Sequence, residues 1–379
     1  MSIALFKTKV HDEAIENVTK VLKSSWLSLG PTVAEFEKRF ADYVDAPYAV
    51  AFSSATAALH AAIHLLDLPK TSSVISTPMT FISTNHVILY ENLPIIFADI
   101  DKNTGNLDLG SIRKACNVDR GELTRPRALM FVHYGGTVGD LDLLYEIAEQ
   151  YRLTIIEDAA HAAGASYKIP NYPILEKVGH RAKLACFSFH AVKNLPLGDG
   201  GMLTTTDEEF AVRARSLRWM GIDKSTADRT KGKIYGWKYD VREVGFKSYM
   251  NDINAAIGLG QLPYLDEDNA YRRRIYNTYK DGGLPMLNTT EGSSHHLAVM
   301  LADNLEHKEK IMENLFKHDI QFGVHYIPNY HYPMYSEFPR IDGCPNAEEF
   351  YSRCISLPNH LFLEFSDLCR VISAVREVL

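Results

Sequence analysis

From Tyr48 to Thr206 the chain alternates short, uninterrupted apolar runs with longer stretches whose apolar residues recur at helical spacing. The runs are YAVAF (48–52), VIST (74–77), IIFAD (95–99), ALMFV (128–132), LTIIED (153–158), ACFSF (185–189) and GMLTT (201–205). Between them lie segments such as 56–66 and 141–151 that read as helices. A strand that is apolar on both faces has to be covered on both, and helices between successive strands favour parallel pairing. The pattern predicts an α/β fold with a mostly parallel central sheet, and ligands should gather at the carboxyl ends of its strands.

After Met250 the pattern turns helical from Asn251 to Lys280, with an interruption at Pro263 and a stop at Gly282-Gly283. From Leu284 to Leu379 strands and helices mix around an apolar set that includes Leu315, Ile320, Val371 and Ile372. We therefore expect a large domain over 1–250, carrying an N-terminal arm, and a linking helix with a small C-terminal α+β domain over 251–379. A chain of 379 residues has room for both.

Composition narrows the function classes. With 46% hydrophobic and 23% charged residues, the chain is neither disordered nor repetitive. Its formal net charge of -7 offers no footprint for a polyanion, so no nucleic-acid partner is expected. No apolar run reaches the ~18 residues of a membrane helix, and the first residues do not read as a signal peptide. The expectation is a cytoplasmic protein without a membrane partner. The five cysteines are scattered and never form C-x-x-C, as suits buried thiols in a reducing compartment. His295-His296, His325 and His331 lack partners at metal-site spacing, and no metal is expected.

Four segments could carry chemistry. In Cys186-Phe-Ser-Phe-His-Ala-Val-Lys-Asn-Leu-Pro-Leu-Gly-Asp-Gly-Gly201, Lys193 lies between an apolar strand and a Gly-rich turn. Desolvation there lowers an amine's pKa toward values at which it attacks a carbonyl; the plainer reading is an exposed loop lysine. Asp158 ends the strand of Ile155-Ile-Glu-Asp-Ala-Ala-His-Ala-Ala-Gly164, where a carboxylate can hold a pyridinium nitrogen protonated or simply cap a helix. His161, three residues on, could bond a phenolic oxygen of the same ring or position Asp158. The strand-to-helix passage Phe52-Ser-Ser-Ala-Thr-Ala-Ala-Leu-His60 offers backbone N–H groups and hydroxyls to an anion such as phosphate. In Thr77-Pro-Met-Thr-Phe-Ile-Ser-Thr84, Phe81 follows a strand end, where it could stack on a flat cofactor or belong to the core.

Taken in order, these segments resemble the DegT/DnrJ/EryC1/StrS family of pyridoxal-phosphate sugar aminotransferases. The likeness starts at Trp26-Leu-Ser-Leu-Gly-Pro31 and runs through the four segments to Met250-Asn-Asp-Ile-Asn-Ala-Ala-Ile-Gly-Leu259 and Ser356-Leu-Pro358. The resemblance implies the aspartate-aminotransferase type of fold (fold type I), a homodimer with shared active sites, and pyridoxal 5'-phosphate held as a Schiff base on Lys193. It implies further that Asp158 pairs with the ring nitrogen and Phe81 stacks on the ring. Ser188, Thr56 and the Ala55 amide would hold the phosphate, His161 would stand near the ring hydroxyl, and His331 beside the substrate. Two positions depart from the family pattern: Ala55 replaces a usual glycine, and Lys247-Ser-Tyr-Met250 replaces a usual Asn-Tyr-Arg-Met. Lys247 is therefore expected either to reach an anionic group in the neighbouring subunit's site or to lie solvated on a surface turn. Relatives that dehydrate sugars carry histidine in place of the lysine, so Lys193 argues for transamination. The implied reaction moves an amino group from L-glutamate to a keto sugar, foremost a nucleotide-linked keto-deoxy sugar of surface-polysaccharide or secondary-metabolite biosynthesis. A small phosphorylated ketone, a keto-cyclitol, or a non-catalytic cofactor-binding regulator are the alternatives.

Overall fold

The structure is a computed structural model, and it describes residues 2–118, 125–168, 175–223 and 238–379. Eleven strands are described: β1 Tyr48–Phe52, β2 Ser73–Ser76, β3 Ile95–Phe97, β4 Pro126–Val132, β5 Thr154–Asp158, β6 Ser166–Lys168, β7 Leu175–Lys177, β8 Ala185–Ser188, β9 Gly201–Thr205, β10 Ala298–Leu301 and β11 Cys354–Leu357. Seven of them form one sheet in the order β1-β9-β8-β5-β4-β2-β3. Strands β3, β2, β4, β5 and β8 run parallel, while β9 is antiparallel to both β8 and β1. This is the α/β fold with a mostly parallel sheet that the apolar runs predict.

Alternate residues of each strand feed two separate apolar layers, as the two-residue period of a strand requires. Ala49, Ala51, Ile75, Leu129, Phe131 and Ile155 pack on one face with Phe36 and Phe40 of helix α2 (Pro31–Val44), which follows α1 (Asp12–Ser24). Val50, Phe52, Val74, Ala128, Met130 and Ile156 pack on the other, against α3 (Ala55–Leu65) and α4 (Ser83–Tyr90). Asp158 has the parity of Ile156, so its side chain leaves the sheet toward α3 and α4. The parity of Glu157 sends it the opposite way, where it accepts from Tyr145 at 2.5 Å and pairs with His133 at 3.0 Å.

The helical region after Met250 consists of Asp252–Gln261, a single 3-10 turn at Leu262–Tyr264 and Leu265–Asp281. Pro263 has no N–H to continue the first helix, and Gly283, with φ +81°, follows the end of the second. Beyond it a third apolar cluster gathers Ile311, Leu315, Val371 and Val375 with Ile3 from the N-terminal arm. Strands β10 and β11 pair within this region.

Candidate active site

Asp158 ends β5 with its carboxylate buried. Thr84 Oγ1, in the first turn of α4, donates to Oδ2 at 2.7 Å, and the Ala160 backbone N–H donates to Oδ1 at 3.1 Å. Burial raises the carboxyl pKa, against the pull of those two hydrogen bonds and of the charge on Lys193. A cationic group brought beside Asp158 would therefore be held tightly, because few other charges in this buried place can balance the carboxylate.

Lys193 lies in the loop joining β8 to β9, which is closed by Lys193 N to His190 O at 2.8 Å and Leu197 N to Phe189 O at 2.9 Å. It is half-buried, and desolvation lowers its pKa to about 8, with Asp158 pulling in the opposite direction. An appreciable share of neutral amine therefore exists near neutral pH. The plainer reading of Lys193 as a solvated loop residue does not describe this setting.

The expected anion site is built from main chain. Ser54 caps α3 by accepting from Ala57 N at 3.1 Å, which leaves the N–H groups of Ala55 and Thr56 among the orphan donors of a helix start. Ala55 keeps a negative φ, so replacing glycine there introduces no strain. Gly201 of β9 stands opposite Phe52 on one side and Ser188 on the other. A Cβ on Gly201 would overlap the backbone of Ser54 and Ala55, so the absence of a side chain is what brings the helix start so close to the lysine loop. Ser188 is buried at the end of β8, its Oγ 3.4 Å from His190 N.

His161 is buried beside these groups. Its Nδ1 accepts from Gly135 N at 3.2 Å, its Nε2 is 3.1 Å from Tyr326 Oη, and one face rests on His296 at 4.5 Å between centroids. Gly135 sits at φ +62°, a turn that glycine enters freely and that directs its N–H at the ring. Burial and the charge of Lys193 hold both His161 and His296 well below the ordinary histidine pKa. Asn194 fixes His296 through Oδ1 at 2.8 Å while donating to Asn269 and to Ser294 O.

The remaining expected site residues are less gathered. Phe81 is 58% exposed, belonging to no core, and its ring lies 6.5 Å from that of Tyr326. Together they line a cavity of about 540 Å³ with His86, Tyr332, Met334 and Tyr335. His331 is bound to Glu348 at 2.8 Å and packs on Tyr330 and Tyr351. Lys247 is exposed, with Nζ 4.8 Å above Trp219 and 5.3 Å from Tyr249. Reading the sequence did not single out Thr84, Asn194, His296 or Tyr326 as members of the site. Thr84 lies in the segment of Phe81 and Asn194 follows Lys193, while the sequence around His296 offers it only as a candidate metal ligand. Among the described residues no cluster of metal-binding side chains occurs, and no helix is long and apolar enough to cross a membrane.

An amine of lowered pKa, a buried carboxylate and an anion-ready helix start, all at strand ends, match the carbonyl, ring nitrogen and phosphate of pyridoxal 5'-phosphate. Fold and donor set together define a fold type I pyridoxal-phosphate enzyme. The chain belongs to the DegT/DnrJ/EryC1/StrS aminotransferase family, whose model matches residues 8–376. It is 36% identical to the spore coat polysaccharide biosynthesis protein SpsC of Bacillus subtilis, over 97% of this chain and 94% of that protein. It is 31% identical to the UDP-4-amino-4-deoxy-L-arabinose–oxoglutarate aminotransferase of Shewanella sediminis, over 99% and 98%. Among solved structures it resembles the sugar aminotransferase Spr1654 of Streptococcus pneumoniae in its PMP form, with a TM-score of 0.89 and 28% identity over 99% of this chain and 98% of that one. The protein is thus a pyridoxal-phosphate-dependent aminotransferase.

Proposed function

We propose that this aminotransferase carries the amino group of L-glutamate to the keto group of a sugar, foremost a nucleotide-linked keto-deoxy sugar destined for a surface polysaccharide or a secondary metabolite. The observation that carries the proposal is the pairing of Lys193, its pKa lowered to about 8, with the buried carboxylate of Asp158. Bound pyridoxal phosphate supplies a carbonyl that captures amines and a ring that draws electrons from the carbon bearing the captured nitrogen. Around it, Asp158 holds the ring nitrogen protonated, and the Ala55 amide, Thr56 and Ser188 hold the phosphate. Lys193 would hold the cofactor through its nitrogen and, as a free amine, would move a proton at the donor's α-carbon and at the acceptor's carbon. Neutral His161 and His296 add no competing charge.

Two printed names support the choice of substrates. The Bacillus relative is named for polysaccharide biosynthesis. The Shewanella relative's name joins a UDP-linked amino sugar to oxoglutarate, the keto acid that glutamate leaves when it gives up its amino group. The aromatic cavity beside Phe81 suits a substrate that is only partly polar. The reading includes a cytoplasmic homodimer in which Lys247 serves the neighbouring site, His331 contacts the acceptor, and the large and small domains divide near residue 250. Screening nucleotide-linked keto sugars, keto-cyclitols and phosphorylated ketones with glutamate, while following 2-oxoglutarate release, tests it. Turnover confined to small phosphorylated ketones or keto-cyclitols would replace the acceptor, and no release with any ketone would remove glutamate as donor.

A further inference from the structure

Three histidines stand close enough to Lys193 for its charge to act on them: His161, His296 and His325. In one of the three the tautomer is fixed while a ring nitrogen stays free. His161 has partners at both nitrogens, and the Ser356 hydroxyl that meets His325 Nδ1 at 2.8 Å can either donate or accept. For His296 the assignment runs back to main chain. Asn269 Nδ2 donates to Ala163 O at 2.9 Å, so its Oδ1 is what receives Asn194 Nδ2 at 2.6 Å. Asn194 Nδ2 also donates to Ser294 O at 2.9 Å, which turns Asn194 Oδ1 toward His296 Nδ1 at 2.8 Å. An amide oxygen only accepts, so the proton of the neutral ring sits on Nδ1 and Nε2 carries the lone pair. Nε2 has no hydrogen-bond partner among the described residues, and it is not sealed from water as the orphaned ring nitrogens of His133 and His295 are. The ring packs against His161 at 4.5 Å and Phe6 of the N-terminal arm at 5.9 Å between centroids, and these contacts with the Asn194 bond fix where Nε2 points.

We infer that His296 Nε2 accepts a hydrogen bond from the acceptor sugar, from the hydroxyl next to its keto carbon, and thereby separates the sugar from glutamate. The keto carbon has to come within reach of Lys193, and the residue that follows Lys193 is the one that holds His296. A hydroxyl one bond from that carbon is the nearest donor a keto sugar offers. Glutamate offers carboxylates instead; these only accept, and a lone pair repels them. A proton on Nε2 would reverse the preference, and burial together with the charge of Lys193 keeps the ring neutral. The inference rests on a keto sugar being the acceptor.

Two measurements test it. In cofactor-free protein carrying 15N-labelled histidine, the His296 signals are those lost in His296→Gln, and they should show a protonated Nδ1 and an unprotonated Nε2. A proton on Nε2 overturns the inference. In the holoenzyme, the amine-loaded form is mixed rapidly with a UDP-linked keto-deoxyhexose, and separately with the same compound carrying hydrogen in place of the hydroxyl next to the keto carbon. Wild type should favour the hydroxyl compound by roughly tenfold, the worth of one hydrogen bond in a site built to receive it. His296→Met should lose that preference, and His296→Gln, whose amide oxygen can accept, should keep part of it. A His296→Met enzyme that retains the full preference overturns the inference and leaves the sugar in place as acceptor. Should His296→Met fail to fold, wild type decides alone, since equal rates for the two compounds overturn the inference as well. Consumption of phosphorylated ketones and of no keto sugar removes the acceptor reading, and this inference with it.

Discussion

Thr84 Oγ1 donates to Asp158 Oδ2 at 2.7 Å, so the first turn of α4 sets the direction of the carboxylate that ends β5. Asp158→Asn should fold and keep cofactor yet lose turnover on the order of a thousandfold, about 4 kcal/mol of barrier, because an amide cannot keep the ring nitrogen protonated. Thr84→Val should lose roughly tenfold, the cost of one hydrogen bond to a charged group. Single-turnover rates measure both, and an Asp158→Asn rate within about tenfold of wild type would take Asp158 out of the chemistry.

The lowered pKa of Lys193 predicts a pH signature in stability. Its pKa is about 8 in the folded protein, against 10.5 ordinarily. Between those values the unfolded chain binds the proton that the folded one has released, so cofactor-free protein gains stability as pH rises, by up to about 3 kcal/mol. Below pH 8 both states are protonated and no further dependence arises from this group. Lys193→Met should lack the increment in thermal unfolding scans compared pH by pH, and equal slopes for the two proteins would contradict the assignment. Lys193→Met should also be inactive, and borohydride reduction of wild-type holoenzyme should leave the pyridoxyl group on Lys193.

Gly201→Ala places a methyl group against the backbone of Ser54 and Ala55. Neither strand nor helix start can yield without shifting the other, so the variant should lose about 1–3 kcal/mol of stability, the usual cost of overpacking. Phosphate-dependent cofactor retention should fall with it. Chemical denaturation and dialysis against pyridoxal phosphate measure the two effects, and unchanged retention would mean that the close approach does not serve the anion site.

Lys247 is exposed above two aromatic rings of its own chain, a position from which it can turn outward. If it serves the neighbouring subunit, dimers pairing one Lys193→Ala chain with one Lys247→Ala chain should recover about half of wild-type activity. In such dimers one site has lost both groups and the other retains both. Lys247→Ala alone should weaken cofactor retention or raise the KM of a phosphorylated acceptor, and no change in either would place Lys247 on the solvated turn.

The sheet was readable in advance because its strands are apolar on both faces, and a continuous apolar run bounded by helices admits few other folds. Strand ends were less readable. The run through Thr77 stops at Ser76, since Pro78 has no N–H with which to extend the ladder. The run through Asp99 stops at Phe97, and Asp99 instead accepts from the N–H groups of Asn346 and Ala347 at the start of the helix Pro345–Arg353. Asp158 and Lys193 stood out because each closes a strand or follows one. Tyr326 and His296 did not, because they meet His161 and Asn194 across 165 and 102 residues of chain, and local pattern carries no record of such distant encounters.

Because Gly201 is the register partner of both Phe52 and Ser188, a single strand spans from the start of α3 to the loop that carries Lys193. The gap between those two anchors is thus a fixed gauge, measured in strand spacings of hydrogen-bonded main chain rather than in side-chain lengths. On the proposed assignment, substitutions around the aromatic cavity should change what the enzyme admits while the two proposed points of attachment, the start of α3 and Lys193, stay at the same separation. New acceptors could therefore be sought at Tyr332 and Met334 without rebuilding the grip on the cofactor.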